Sequence, residues 1–250
     1  MPFGVGIGEV AGVLRETRGI GQATPRIAVS GDGAAELAAA LTAGGDAGAV
    51  TVGGDPLQAA VAIWLLDGPP SPAAVAALRR LTRAGTPVLV VQRGAGRVPY
   101  VVPGDVLDGS SEVPLDDLAT AVARVAGADG PALASRLPVL RPAVMRRLVG
   151  TTSLTNAALA ASSRLQRAQL PVLTLAQGRM VLLLGLSRGE TLPRDPQALA
   201  LAVGPALGAC LAVGLGARAL VRRLPVGGPL VRGAVAYAGT RALGAARLRL

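Results

Sequence analysis

Between residues 25 and 126 short apolar runs alternate with segments of helical composition, and this alternation limits the possible folds more than any other feature of the chain. Arg26–Ser30, Ala49–Gly53, Val61–Leu66, Pro87–Gln92 and Val98–Pro103 read as buried strands bounded by Gly, Pro and Asp. Ala34–Thr42, Pro72–Ala84 and Leu115–Ala126 carry helical spacing, and Ser71 before Pro72 supplies a cap followed by a first-turn proline. Strands alternating with helices predict an α/β unit, a mostly parallel sheet with flanking helices. One link, Gly54–Ala60, is short for a full parallel crossover.

From Pro131 the strand signals fade. Ala132–Leu137, Pro142–Ala161, Gln177–Ser187, Gln197–Arg223 and Pro229–Arg247 read as helices separated by Pro or Gly breakers. The predicted organisation is a lead segment over 1–24, an α/β domain over 25–128 and an all-α helical domain over 129–250. Charge divides at the same place. Residues 1–130 hold nine arginines against thirteen acids, a balance of −4; the remainder holds sixteen arginines against Glu190 and Asp195, a balance of +14. An arginine-rich, apolar second half points to an anionic membrane surface as partner.

Composition removes most catalytic chemistry. All 25 basic residues are arginine and there is no histidine, so imidazole bases, histidine metal ligands and lysine Schiff bases are excluded. Cys210 is the one thiol and lies in an apolar run, where it reads as a small packed hydrophobe. No catalytic residue and no cofactor is expected. Nucleic acid is not an expected partner either, since stacking platforms need aromatics and residues 131–250 contain only Tyr237. The Gly-rich start reaches Glu9 before any apolar region forms and lacks a signal peptide, so a cytoplasmic N-terminus is expected.

The loop after the first strand runs Ser30-Gly31-Asp32-Gly33-Ala34-Ala35-Glu36-Leu37, and Gly31, Asp32 and Gly33 are the nucleotide-site candidates. A phosphate loop needs G-x-x-x-x-G-K-[ST]: amides to cradle phosphate, Lys to neutralise it, a hydroxyl for magnesium. The Lys and the hydroxyl are missing, and Glu36 adds negative charge at the helix start. A tight strand-to-helix turn accounts for the sequence better. Gly6–Ala11 and Gly214-Leu215-Gly216 match dinucleotide letters without a preceding strand. Asp67-Gly68 ends a strand but continues into a Pro-Pro turn. Asp105, Asp108, Glu112, Asp116 and Asp117 form an acidic face whose spacing fits no calcium loop.

The longest uncharged stretch, Pro196–Ala217, meets the length of a membrane span. Its Leu and Val content supplies only about −3 to −4 kcal/mol before Gly and Pro subtract, which makes it borderline. Gly204, Gly208, Ala212 and Gly216 repeat every four residues, as do Ala234, Ala238, Ala242 and Ala246 in the next helix. Such small-residue ridges let helices approach closely, in lipid or in a soluble hairpin. Arg218, Arg222, Arg223 and Arg232 form a basic turn between them, the expected contact for a membrane or a partner.

The run from Ala234 through Tyr237, Gly239, Thr240, Arg241 and Leu243 to Gly244 resembles the end of the YcjF-like family, domains of unknown function associated with Era-like GTPases. Leu170-Pro171 through Thr174 to Gln177, followed by Arg179-Met180, resembles that family's middle segment, as does Leu137-Pro138 to Arg141. The resemblance covers roughly residues 130–247. It implies the cytoplasmic side of the bacterial inner membrane, with one or two spans or none, the alternative being the cytoplasm. It further implies that residues 25–128 are a degenerate P-loop GTPase-like domain. Thr86–Gly94 stands where such domains carry a strand followed by N-K-x-D, yet Gln92, Arg93, Gly94 and Ala95 do not supply that motif. Val98-Pro99-Tyr100-Val101 resembles the next strand. The expected function is therefore a non-catalytic, membrane-associated accessory protein. Two alternatives are an unconventional nucleotide binder or GTPase, and a soluble helical partner of an intact GTPase.

Overall fold

The computed structural model describes residues 7–109, 114–162, 169–191, 204, 208 and 229–249. The chain divides into two compact units. One comprises Gln22–Val144 with Ser187–Gly189; the other comprises Met1–Gly21, Met145–Leu186 and Glu190–Leu250.

The first unit is the α/β layer. Five parallel strands, β1 (Ile27–Gly31), β2 (Val50–Val52), β3 (Val61–Asp67), β4 (Val88–Arg93) and β5 (Val106–Asp108), lie in the order β2-β1-β3-β4-β5. This is a doubly wound order whose switch point falls between β1 and β3. Register is fixed by pairs such as Ile27↔Val61, Ala62↔Val88 and Val90↔Val106. β3 and β4 are buried on both faces, hence their unbroken apolar runs, whereas the edge strands β2 and β5 are short and partly exposed.

Helix α2 (Ala34–Thr42) follows β1, α3 (Pro72–Ala84) follows β3, and α4 (Leu115–Val125) and α5 (Gly130–Arg136) follow β5. Ser71 Oγ accepts from the Ala74 amide and Gly85 closes α3 in the left-handed region at φ 74°, the two ends that Ser71-Pro72 and Gly85 encode. Ala74, Leu78 and Leu81 of α3 pack on Ala62, Leu66, Val88 and Val90, with Val98 closing the same cluster. The opposite face buries Ile63, Leu65, Leu89 and Val91, covered by helices that include α2 and α4. The short link resolves simply. β2 and β3 flank β1, so residues 53–60 cross one strand, about 10 Å, and a single 3₁₀ turn at Pro56–Gln58 suffices.

One expectation is corrected. Val98–Pro103 is not a strand: Tyr100 adopts φ 65°, outside the extended region, and the fifth strand is Val106–Asp108. The α/β unit runs past 128 to Val144, because Arg136 and Arg141 belong to it. Arg136 donates to Asp46 Oδ2 from Nε at 3.0 Å and Nη2 at 2.8 Å, and to the Pro25 carbonyl from Nη1 at 2.7 Å. Arg141 donates from Nε to the Ala134 carbonyl and from Nη2 to that of Ser135, satisfying the end of α5. Two arginines counted with the basic half are thus structural parts of the sheet unit.

The second unit is helical: α1 (Ile7–Gln22), most of α6 (Arg141–Ala161), α7 (Gln169–Ser187) and α8 (Pro229–Arg249). Within the lead segment, Ile7–Gln22 is therefore a helix of this unit. α1 turns Thr17 inward, its hydroxyl bonded to the Val13 carbonyl at 2.8 Å, and Arg179 of α7 pairs with Glu16 at 2.7 Å. Met145, Val149, Met180 and Leu184 form a core, with Leu148 and Leu243 against it. Among the described residues no helix is long and apolar enough to cross a membrane. Most of the expected Gln197–Arg223 helix and the borderline span lie outside the described residues; Gly204 and Gly208 are helical.

Candidate functional site

In a doubly wound sheet the ligand crevice lies beyond the carboxyl ends of the strands, so the β1–α2 turn comes first. β1 ends at Gly31 and α2 begins at Ala34, leaving Asp32 and Gly33 as the whole connection. Gly31 adopts φ 100° and lies so close against β3 that a Cβ on it would overlap the Leu65 carbonyl oxygen. Gly33 caps α2 in the left-handed region (φ 79°, ψ 13°) without a side-chain cap bond. Glu36 stands in the first turn, with Oε2 3.9 Å from where a Cβ of Gly33 would be. A cradle for phosphate needs several residues arching around the anion and a cation to meet it. A two-residue connection that follows Gly31 against Leu65 of β3, with the Glu36 carboxylate in the first turn of α2, provides neither. The structure thus brings Gly31, Asp32 and Gly33 together as a tight turn.

At the carboxyl end of β4 the chain opens into a long loop. Gln92 is the last residue on the α3 side of that strand, where Val88 and Val90 precede it, and its side chain is buried. Its amide donates to the Gly68 carbonyl at 3.4 Å, and its backbone carbonyl accepts from the Gly109 amide at 2.9 Å. Residues 94–105 then wrap a cleft of about 440 Å³ lined by the loop itself, Gln92 and β5. Three ties hold the loop. Thr82 Oγ1 donates to the Tyr100 carbonyl at 3.0 Å, Arg124 Nη2 donates to the Gly104 carbonyl at 2.8 Å, and Arg124 pairs with Asp105 at 2.6 Å. Tyr100 is the one non-glycine residue with positive φ among the described residues, and Arg79 lies 6.0 Å from its ring centre. Of the acidic face, Asp105 is thus an ion-pair member and Glu112 lies outside the described residues. Among the described residues no group of acids or thiols is placed to hold a metal ion.

In the helical unit, Arg218, Arg222, Arg223, Ala212 and Gly216 lie outside the described residues. Arg232 is described and partly buried, and its Nε has no hydrogen-bond partner among the described residues. The described residues of the two predicted ridges are exposed. Gly204 and Gly208 have nothing among the described residues within 4 Å of where a Cβ on either would stand, and Ala234, Ala238 and Ala242 line the outer side of α8. The packed face of α8 is the adjacent one, Gly233, Thr240 and Gly244. A Cβ on Gly233 would lie 3.1 Å from the Ala157 carbonyl, and one on Gly244 would lie 2.5 Å from Val149 Cγ1. The reason is a polar node that the alanine spacing does not reveal. Thr240 Oγ1 accepts from Asn156 Nδ2 at 3.1 Å and Gln177 Nε2 at 3.2 Å, and donates to the Ala236 carbonyl at 2.9 Å. That node turns α8 toward α6 and α7 by its Thr240 face.

No family model matches the chain, and no curated protein or solved structure is significantly similar to it.

Proposed function

We propose that this chain is a non-catalytic accessory protein of an anionic membrane surface, built from a degenerate GTPase-like α/β unit and a basic, YcjF-like helical unit. The observation that carries the non-catalytic part is the β1–α2 turn. Its two residues, Gly31's contact with Leu65 and the carboxylate of Glu36 argue against a bound nucleotide phosphate. The membrane part rests on charge. Glu190 and Asp195 are the only acids after residue 130, and the Arg218–Arg232 stretch contains none. Arginines near anionic head groups each contribute about 1 kcal/mol, so a cluster suffices for surface attachment.

Fractionating cells that express the tagged full chain tests this reading. It predicts recovery with membranes at low salt and partial release at high salt, because exposed charge pairs are screened. A protein that stays fully soluble at low salt would overturn the membrane part.

A further inference from the structure

The cleft beside β4 and β5 has features that an accidental gap between loops does not require. Its floor is Gln92, a buried amide in a row of strand positions otherwise filled by valine. That amide keeps one long bond, 3.4 Å to the Gly68 carbonyl. Gly96 sits so close that a Cβ there would approach Gln92 Nε2 to 2.8 Å, so the loop is shaped around this side chain. Its wall, Val98, Val101 and Val106, belongs to the apolar cluster under α3. Its rim holds Tyr100 at φ 65°, a conformation that bulky residues adopt at a cost and that the Thr82 bond to its carbonyl maintains. Strain held in place by specific contacts concentrates at binding sites. A cleft of about 440 Å³ with an apolar wall and few convergent polar groups has the dimensions of a small-molecule site.

The charge of the ligand follows from Arg97. It is the one cation lining the cleft, exposed and without an ion pair or hydrogen bond among the described residues. Arg79, above the Tyr100 ring, adds a second positive charge nearby. Asp108, the one lining acid, already has an interaction of its own. We propose that this cleft binds a small organic anion. Its apolar or aromatic body lies against Val98, Val101 and Val106, a polar edge meets the Gln92 amide, and its carboxylate-type group meets Arg97. An arginine fork donates two parallel hydrogen bonds to a carboxylate, which selects an anion over its neutral amide. The site is separate from the β1–α2 turn, so its occupancy and the no-nucleotide reading stand or fall independently.

Benzoate, benzamide and benzylammonium share one body and differ in charge, and ligand-observed NMR on the full chain compares them directly. Benzoate is expected to bind with a dissociation constant on the order of millimolar, as suits a fragment of its size. Benzamide should bind at least about tenfold more weakly and benzylammonium not detectably, in keeping with a charge-assisted contact. Arg97→Gln, an exposed change, should reduce benzoate to the benzamide level without altering the thermal melt. Val101→Trp, which fills the cleft and leaves every charge in place, should abolish binding of benzoate. Equal binding of all three probes, no binding of benzoate at millimolar concentration, or undiminished binding in either variant would overturn the proposal.

Discussion

Thr240→Val tests the packing of the helical unit at its most specific point. The hydroxyl of Thr240 uses its full capacity: it accepts from Asn156 and Gln177 and donates to the Ala236 carbonyl. Valine keeps the shape and removes both acceptor sites, leaving two amide donors in a region where Asn156 and Thr240 are 0% exposed and Gln177 9%. Each buried donor left without a partner costs about 1–3 kcal/mol. The added methyl returns about 1 kcal/mol of transfer free energy. The net expectation is a loss of about 3 kcal/mol, which in a chain of this size lowers Tm by roughly 6–12 °C. Guanidinium unfolding followed by far-UV circular dichroism measures it. Thr240→Ser, which keeps the hydroxyl, should lose only about 1 kcal/mol for the deleted methyl. Combining Thr240→Val with Gln177→Leu should recover about 1–2 kcal/mol relative to additivity, because the second change removes one stranded donor. A Thr240→Val protein as stable as the parent, with Thr240→Ser less stable than either, would refute the node.

Three further outcomes follow from particular contacts. Gly244→Ala places a methyl 2.5 Å from Val149 Cγ1 and should destabilise the helical unit by about 1–3 kcal/mol, read by the same unfolding curve. Gly31→Ala demands φ 100° of alanine and drives its methyl into the Leu65 carbonyl, so a loss of more than about 3 kcal/mol, or failure to accumulate, is expected in the α/β unit. The hydrogen bonds from Arg136 hold the Asp46 carboxyl below its ordinary value of 3.8, and that from Arg179 holds Glu16 below 4.5. A folded-state pKa below the unfolded one gives stability that is present above the ordinary carboxylate range and lost as pH falls through the depressed value. Asp46→Asn with Glu16→Gln should therefore flatten the decline in stability below about pH 4 in urea titrations, while leaving the shape of the neutral limb unchanged.

The sheet is largely legible because both-face burial writes itself into composition. β1, β3 and β4 fall within a residue or two of the apolar runs at Arg26–Ser30, Val61–Leu66 and Pro87–Gln92. α3 is marked at both ends by Ser71-Pro72 and Gly85. The β5 edge is not legible. Val98-Pro99-Tyr100-Val101 has strand composition, but Val98 and Val101 belong to the cluster under α3 while Tyr100 turns through positive φ. Only three residues, Val106–Asp108, extend the sheet, too few to show a period. In the helical unit the alanine ridge is a true periodicity, but Ala234, Ala238 and Ala242 are exposed. Packing is decided by Gly233, Thr240 and Gly244, and the polar partners of Thr240, Asn156 and Gln177, are 84 and 63 positions away from it. α1 joins the helical unit through long-range contacts such as Gly21 against Leu186, for which spacing within the first residues gives no signal. Of the nucleotide candidates, the turn itself is readable from Gly31-Asp32-Gly33, whereas the cleft depends on the fold of a loop that reads as strand.

Isothermal titration of the purified full chain with GTP and ATP in the presence of magnesium tests the central proposal, that the α/β unit holds no nucleotide. The closed β1–α2 turn predicts no heat of binding at micromolar concentration, and the same flat trace for Gly33→Val. Micromolar affinity for either nucleotide, lost on changing Gly33 to valine, would contradict it and make this turn a working phosphate site.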